Sequence, residues 1–110
     1  MKNYSNFAQM YNLLKRQKDI YLVLENRPAK YMFGALNYGE IPGYFNKADK
    51  DPWDVVVPGY SYKLPTGTKY KITGLRGAYM LPNGNHKLLV DIEHRKSEIK
   101  DIKKEMFFYK

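Results

Sequence analysis

Thr68 to Ile92, TKYKITGLRGAYMLPNGNHKLLVDI, is the stretch on which the reading of the fold turns. It falls into three short runs, Thr68–Thr73, Leu75–Met80 and His86–Ile92, parted by Gly74 and by Pro82-Asn83-Gly84. Ile, Val, Thr and Tyr suit a pleated, half-buried surface, while Gly and Pro interrupt it, so each run reads as a strand. The pattern continues upstream in Ile20–Glu25 (IYLVLE), in Lys30–Leu36, and in Asp54–Val57 before Pro58-Gly59. Five to six short strands at this spacing predict a small barrel or strongly curled sheet.

Helices are expected at both ends. Ser5 is placed to cap a helix whose Phe7, Met10, Tyr11 and Leu14 recur at helical spacing. Ile99, Ile102, Met106 and Tyr109 form a second such stripe after Ser97. With 110 residues and no linker, repeat or low-complexity tract, the chain reads as one α+β domain. Its expected parts are an N-terminal helix over 1–18, a barrel over 19–92 and a C-terminal helix over 97–110.

Composition narrows the function. Nineteen basic against 11 acidic residues leave a net charge of +8, which favours anionic partners: phosphorylated small molecules, nucleic acid or an anionic membrane surface. The absence of cysteine excludes disulfides, thiolate zinc, iron–sulfur clusters and thiol catalysis. No apolar leader follows Met1 and no run approaches the ~18 apolar residues of a spanning helix, so the expectation is a soluble, cytoplasmic chain with no membrane partner. Eleven tyrosines supply rings with a polar tip, suited to a groove as much as to a core.

The densest polar cluster is Asp49-Lys50-Asp51-Pro52-Trp53-Asp54. In extended chain Asp49 and Asp51 share a face, and a bend at Pro52 brings Asp54 toward them. Converging carboxylates repel unless a cation lies between them, and hard divalent ions prefer oxygen ligands. The same residues also suit an Asx turn leading into a strand. Glu25 ends an apolar strand, and Lys30 and Lys87 lie in strand-like runs from which an ammonium can enter a cleft or stay on the surface. Gly74-Leu75-Arg76-Gly77 has the GxxG form of a nucleotide-clamping loop, but strands flank it where helices are required.

Around the aspartates the chain resembles soluble family I inorganic pyrophosphatases. The resemblance is carried by Tyr38-Gly39-Glu40-Ile41-Pro42-Gly43 and then D-x-D-P-x-D-V-V-V-P-G over 49–59. It extends to Asp19–Glu25 with Lys30-Tyr31, to Leu64-Pro65-Thr66-Gly67 and on to Gly77, and to Ile102–Lys110 with its Tyr-Lys pair. It implies an OB-like five-stranded barrel and hydrolysis of pyrophosphate to two phosphates by a metal-activated water. Mg²⁺, or Mn²⁺ in its place, would be held by Asp49, Asp51 and Asp54 with Glu25 as an outer member. Asp51 would orient or deprotonate the attacking water. Lys30, Tyr38, Lys87, Tyr109 and Lys110 would bind phosphate oxygens, and a homo-oligomer is implied. The chain departs from the family at Met32, which replaces a glutamate, and at Asn83, Asn85 and His86, which stand at or near metal aspartates. It also has no arginine between Lys30 and Tyr38.

Three functions remain in view: a reduced Mg²⁺-dependent pyrophosphatase, an inactive relative that binds a phosphorylated small molecule or nucleotide, and an OB-like single-stranded nucleic-acid binder. The aspartates oppose the third, since unscreened carboxylates repel a phosphate backbone. The substituted ligands oppose the first.

Overall fold

Alternating apolar side chains on five strands turn inward and close the sheet on itself. The computed structural model describes residues 2–4, 7–16, 19–25, 37–47, 50–60, 62–79, 86–93 and 96–100. In chain order these form β1 (Lys2–Tyr4), α1 (Phe7–Arg16), β2 (Tyr21–Leu24), β3 (Tyr38–Asn46), β4 (Asp51–Val56), β5 (Lys69–Tyr79) and β6 (Lys87–Ile92). The sheet runs β1-β3-β2-β5-β6-β4, and β4 also pairs with β3. The second pairing closes a five-strand mixed barrel of β2 to β6, with β1 added on the outside of β3. Four of the five barrel seams are antiparallel and the β4–β6 seam is parallel.

The interior is built from Leu22 and Leu24 of β2, Ile41 of β3, Trp53 and Val55 of β4, and Leu88, Val90 and Ile92 of β6. All are almost fully buried. Met10 of α1 joins this cluster with Leu13 and Leu14 against it, so the helix is held by its apolar stripe. The helix ends on Lys15 and Arg16, cations that complement its negative C-terminal end. Among the described residues no helix is long and apolar enough to cross a membrane.

Several elements differ from expectation. β1 was not foreseen: Lys-Asn-Tyr has no apolar alternation, and the strand exists by parallel pairing of Lys2–Tyr4 with Tyr44–Asn46. Nor was β3, because Gly39, Pro42 and Gly43 read as turn residues. They are accommodated by a long bulge, in which residues 42–44 have no partner on β4 and Gly43 adopts φ +85°. The two runs on either side of Gly74 are one strand, β5, with bulges that absorb the glycines. Of the expected C-terminal helix only residues 99 and 100 are helical, and 101–110 lie outside the described residues. The expected strand over Lys30–Leu36 lies outside them as well.

Gly39 shows why a turn-like residue sits in a barrel strand. A Cβ there would run into the backbone carbonyl of Val23 on β2, which has no side-chain freedom with which to yield. Gly39→Ala is therefore expected to cost about 3 kcal/mol, at the upper end of overpacking penalties. Urea denaturation should show a lowered midpoint at unchanged slope; an unchanged midpoint would mean the two strands do not approach so closely.

Candidate functional site

Strand register sets the site. Glu40 on β3 lies opposite Asp54 on β4, and Asp54 lies opposite Lys87 on β6. Ile41, Trp53, Val55 and Leu88 point into the core, so alternation sends Glu40, Asp54 and Lys87 together to the outer face of the barrel. Tyr38, two residues before Glu40, shares that face. Glu25 follows β2, where its N–H donates to the Tyr38 carbonyl at 2.8 Å. Four residues expected to carry function, Glu25, Tyr38, Asp54 and Lys87, thus meet on one patch although they come from four separate segments.

The centre of the patch is an ion pair. Lys87 Nζ donates to Asp54 Oδ2 at 2.5 Å, with the Lys87 side chain 3% and the Asp54 side chain 16% exposed. The ammonium also lies 5.9 Å from the centroid of the Tyr38 ring, within reach of cation–π attraction. Beside this pair, Glu40 is hydrogen-bonded to Glu25. The pKa of Glu40 is raised from its ordinary value, first by burial, then by the charge of Glu25 and the bond to it, and lastly by the charges of Asp54 and Asp51.

Asp51 is exposed at the start of β4, opposite Asn46, and it acts on Glu40 through its charge. Asp49, Lys30, Tyr109 and Lys110 lie outside the described residues, as do Met32, Asn83 and Asn85. His86 is half-buried immediately before Lys87. Among the described residues no three His, Asp or Glu groups converge closely enough to hold one metal ion as they stand. Asp51 and Asp54 do not converge directly: they stand at opposite parity on β4, and Asp54 is engaged by Lys87.

Two residues went unrecognised in the sequence. For Glu40 the available signal is a carboxylate two residues after Tyr38, alternating with Gly39 and Ile41. Asn37 is wholly buried; its Nδ2 donates to the Tyr62 carbonyl at 3.0 Å and its Oδ1 accepts from Leu64 N–H at 2.7 Å. It ties the 62–64 segment to the start of β3 beside Tyr38. Nothing in the sequence marks that role, because its partners lie 25 and 27 positions away.

No protein-family model, curated protein or solved structure matches this chain.

The site's charges predict its stability. Because the folded-state pKa of Glu40 exceeds the unfolded value, the native state holds the proton more tightly, and stability falls as pH rises through the folded pKa. Glu40→Gln, which keeps a donor toward Glu25 without the charge, should raise the melting temperature at pH 8. The gain should vanish below about pH 4, where the glutamates are protonated in both states; a gain that does not depend on pH would contradict this origin. Lys87→Met leaves Asp54 without its partner and should cost about 3 kcal/mol, and adding Asp54→Asn should recover part of that loss. Denaturant midpoints of the two variants test the coupling, which is refuted if the second change adds to the damage.

Proposed function

We propose that the chain is a divalent-cation-dependent hydrolase of pyrophosphate, with an OB-like barrel as its frame. The barrel order β2-β3-β4-β6-β5, with its parallel seam between the third and fifth barrel strands, supports the OB-like arrangement. The observation that carries the functional reading is the meeting of Glu25, Tyr38, Asp54 and Lys87 on one patch with Glu40.

The donors suit a hard cation. Glu25, Glu40, Asp51 and Asp54 offer only carboxylate oxygens, and the mutual repulsion that adds to burial in raising the pKa of Glu40 is one a divalent ion would relieve. As they stand no three of these carboxylates among the described residues converge on one ion, so Glu25, Glu40 and Asp51, with Asp49, would hold Mg²⁺ or Mn²⁺ only on drawing together, and Asp54 would join them once its pair with Lys87 opens. When bound, the ion supplies Lewis acidity and screens the negative charge of the phosphoanhydride. Asp51, open to solvent, would take the proton of the attacking water as its oxygen bonds to phosphorus and the bridging P–O bond breaks. Lys87, Tyr38 and Lys30, with Tyr109 and Lys110, would hold phosphate oxygens and offset the charge growing on the leaving group.

One feature favours a second reading. Lys87 is buried and committed to Asp54, which removes that carboxylate from any ligand set until the pair opens. A chain in which the pair stays closed would bind a phosphorylated small molecule without cleaving it. The nucleic-acid reading has less support, since Glu25, Glu40 and Asp54 would face the phosphate backbone.

Phosphate release from pyrophosphate with Mg²⁺ or Mn²⁺ tests the first reading. Asp51→Asn should lower the rate by at least about 100-fold, the lower end for loss of a general base. Equal rates for wild type and Asp51→Asn would remove the enzyme. A rise in melting temperature with phosphorylated ligands in the presence of chelator, without turnover, would establish the binder instead.

A further inference from the structure

Independently of the pyrophosphatase reading, the geometry points to a second site, on the β5–β6 seam, that binds a small oxyanion such as inorganic phosphate or a carboxylate through Arg76. An open pocket of about 430 Å³ lies there, lined by Thr73, Gly74, Arg76, Asp91 and Lys96 among others. On β6 it is centred four residues beyond Lys87, roughly 13 Å along the strand at ~3.3 Å per residue, so it is not part of the patch around Asp54.

The pocket is made by two irregularities in β5. Residues 73 and 76 have no partner on β6, because the register shifts once between Ile72 and Gly74 and again between Leu75 and Gly77. Bulges of this kind redirect a side chain and release backbone groups from the ladder, and they recur beside binding sites. Here they turn the Gly74-Leu75-Arg76-Gly77 segment, which reads as a loop motif in the sequence, into the wall of a cavity.

Its acids accept hydrogen bonds from the protein, whereas its arginine is ion-paired but keeps one buried N–H without a hydrogen bond. Asp91 is buried, and its Oδ1 accepts from Ser97 N–H at 3.0 Å and from Ser97 Oγ at 2.6 Å. Glu93 Oε1 accepts from Lys71 N–H at 3.2 Å. Arg76 Nε is buried and has no hydrogen-bond partner among the described residues. It forms an ion pair with Asp91 Oδ2 at 3.7 Å, a separation too long for a hydrogen bond. A buried guanidinium donor left unmet costs free energy, and a planar fork of N–H groups suits the paired oxygens of phosphate or carboxylate. The exposed Lys96 at the rim adds a second positive charge.

The test is titration of the full chain with inorganic phosphate in chelator, at ionic strength held constant with chloride, followed by melting temperature. A parallel titration with acetate separates phosphate from carboxylate as the anion accepted. A saturable rise with either anion is expected, together with a shift of the Arg76 Nε–H resonance in the wild-type protein. Arg76→Gln should weaken binding tenfold or more. Gly74→Val, where a Cβ meets nothing within 4 Å, should narrow the pocket and weaken binding without unfolding the chain. Loss of the shift in Arg76→Gln and Gly74→Val, both remote from the phosphate-binding residues proposed around Asp54, separates this site from the proposed hydrolytic one. The inference is overturned if neither anion gives a saturable shift, or if both pocket variants leave the shift intact.

Discussion

The buried bond between Lys87 and Asp54 lies on the one parallel seam of the barrel, and the arrangement of the outer face depends on it. Parallel pairing of β4 with β6 closes the cylinder and brings a lysine and an aspartate from distant segments into lateral register. Neither charge would be tolerated alone at such low exposure, so each makes the other's burial acceptable. The pair also gives the face its polarity: one cation lies between the carboxylates on β3 and β4 and the ring of Tyr38.

From that constraint follows the chemistry of the patch. Glu40 stands opposite Asp54 and beside Glu25, while the ammonium of Lys87 is paired with Asp54. Burial, together with that crowding, raises the pKa of Glu40 above its ordinary value. A divalent cation would relieve the same repulsion, and this is the physical basis for reading the patch as a place where an ion and a phosphate could meet. The same logic explains the opposing reading. As long as the ammonium of Lys87 neutralises Asp54, the need for a metal there is smaller.

Much of the barrel was legible because its evidence is local. Ile20–Glu25, Asp54–Val57 and His86–Ile92 advertise themselves by β-branched and apolar residues, and all three contain strands. α1 was legible from the spacing of Met10 and Leu14. β3 was hidden because Gly39, Pro42 and Gly43 signal turns, while the structure uses them for a close approach to β2 and a long bulge. Gly74 was misleading in the same way, as a bulge within β5 and not a break. β1 carries no pattern of its own and depends wholly on its neighbour.

By itself, the sequence determined that the chain is a basic, cysteine-free β protein with a helix near its start, since composition and periodicity are properties of neighbouring residues. It also supplied Glu25, Tyr38, Asp51, Asp54 and Lys87 as candidates by residue type and resemblance. Tertiary structure alone decided which of them touch. Register between β4 and β6 joined Asp54 to Lys87, register between β2 and β3 set Glu40 beside Glu25, and bulges in β5 opened the pocket at Arg76. Those relations arise from barrel closure, which couples residues far apart in the chain through backbone hydrogen bonds that no short window of sequence contains.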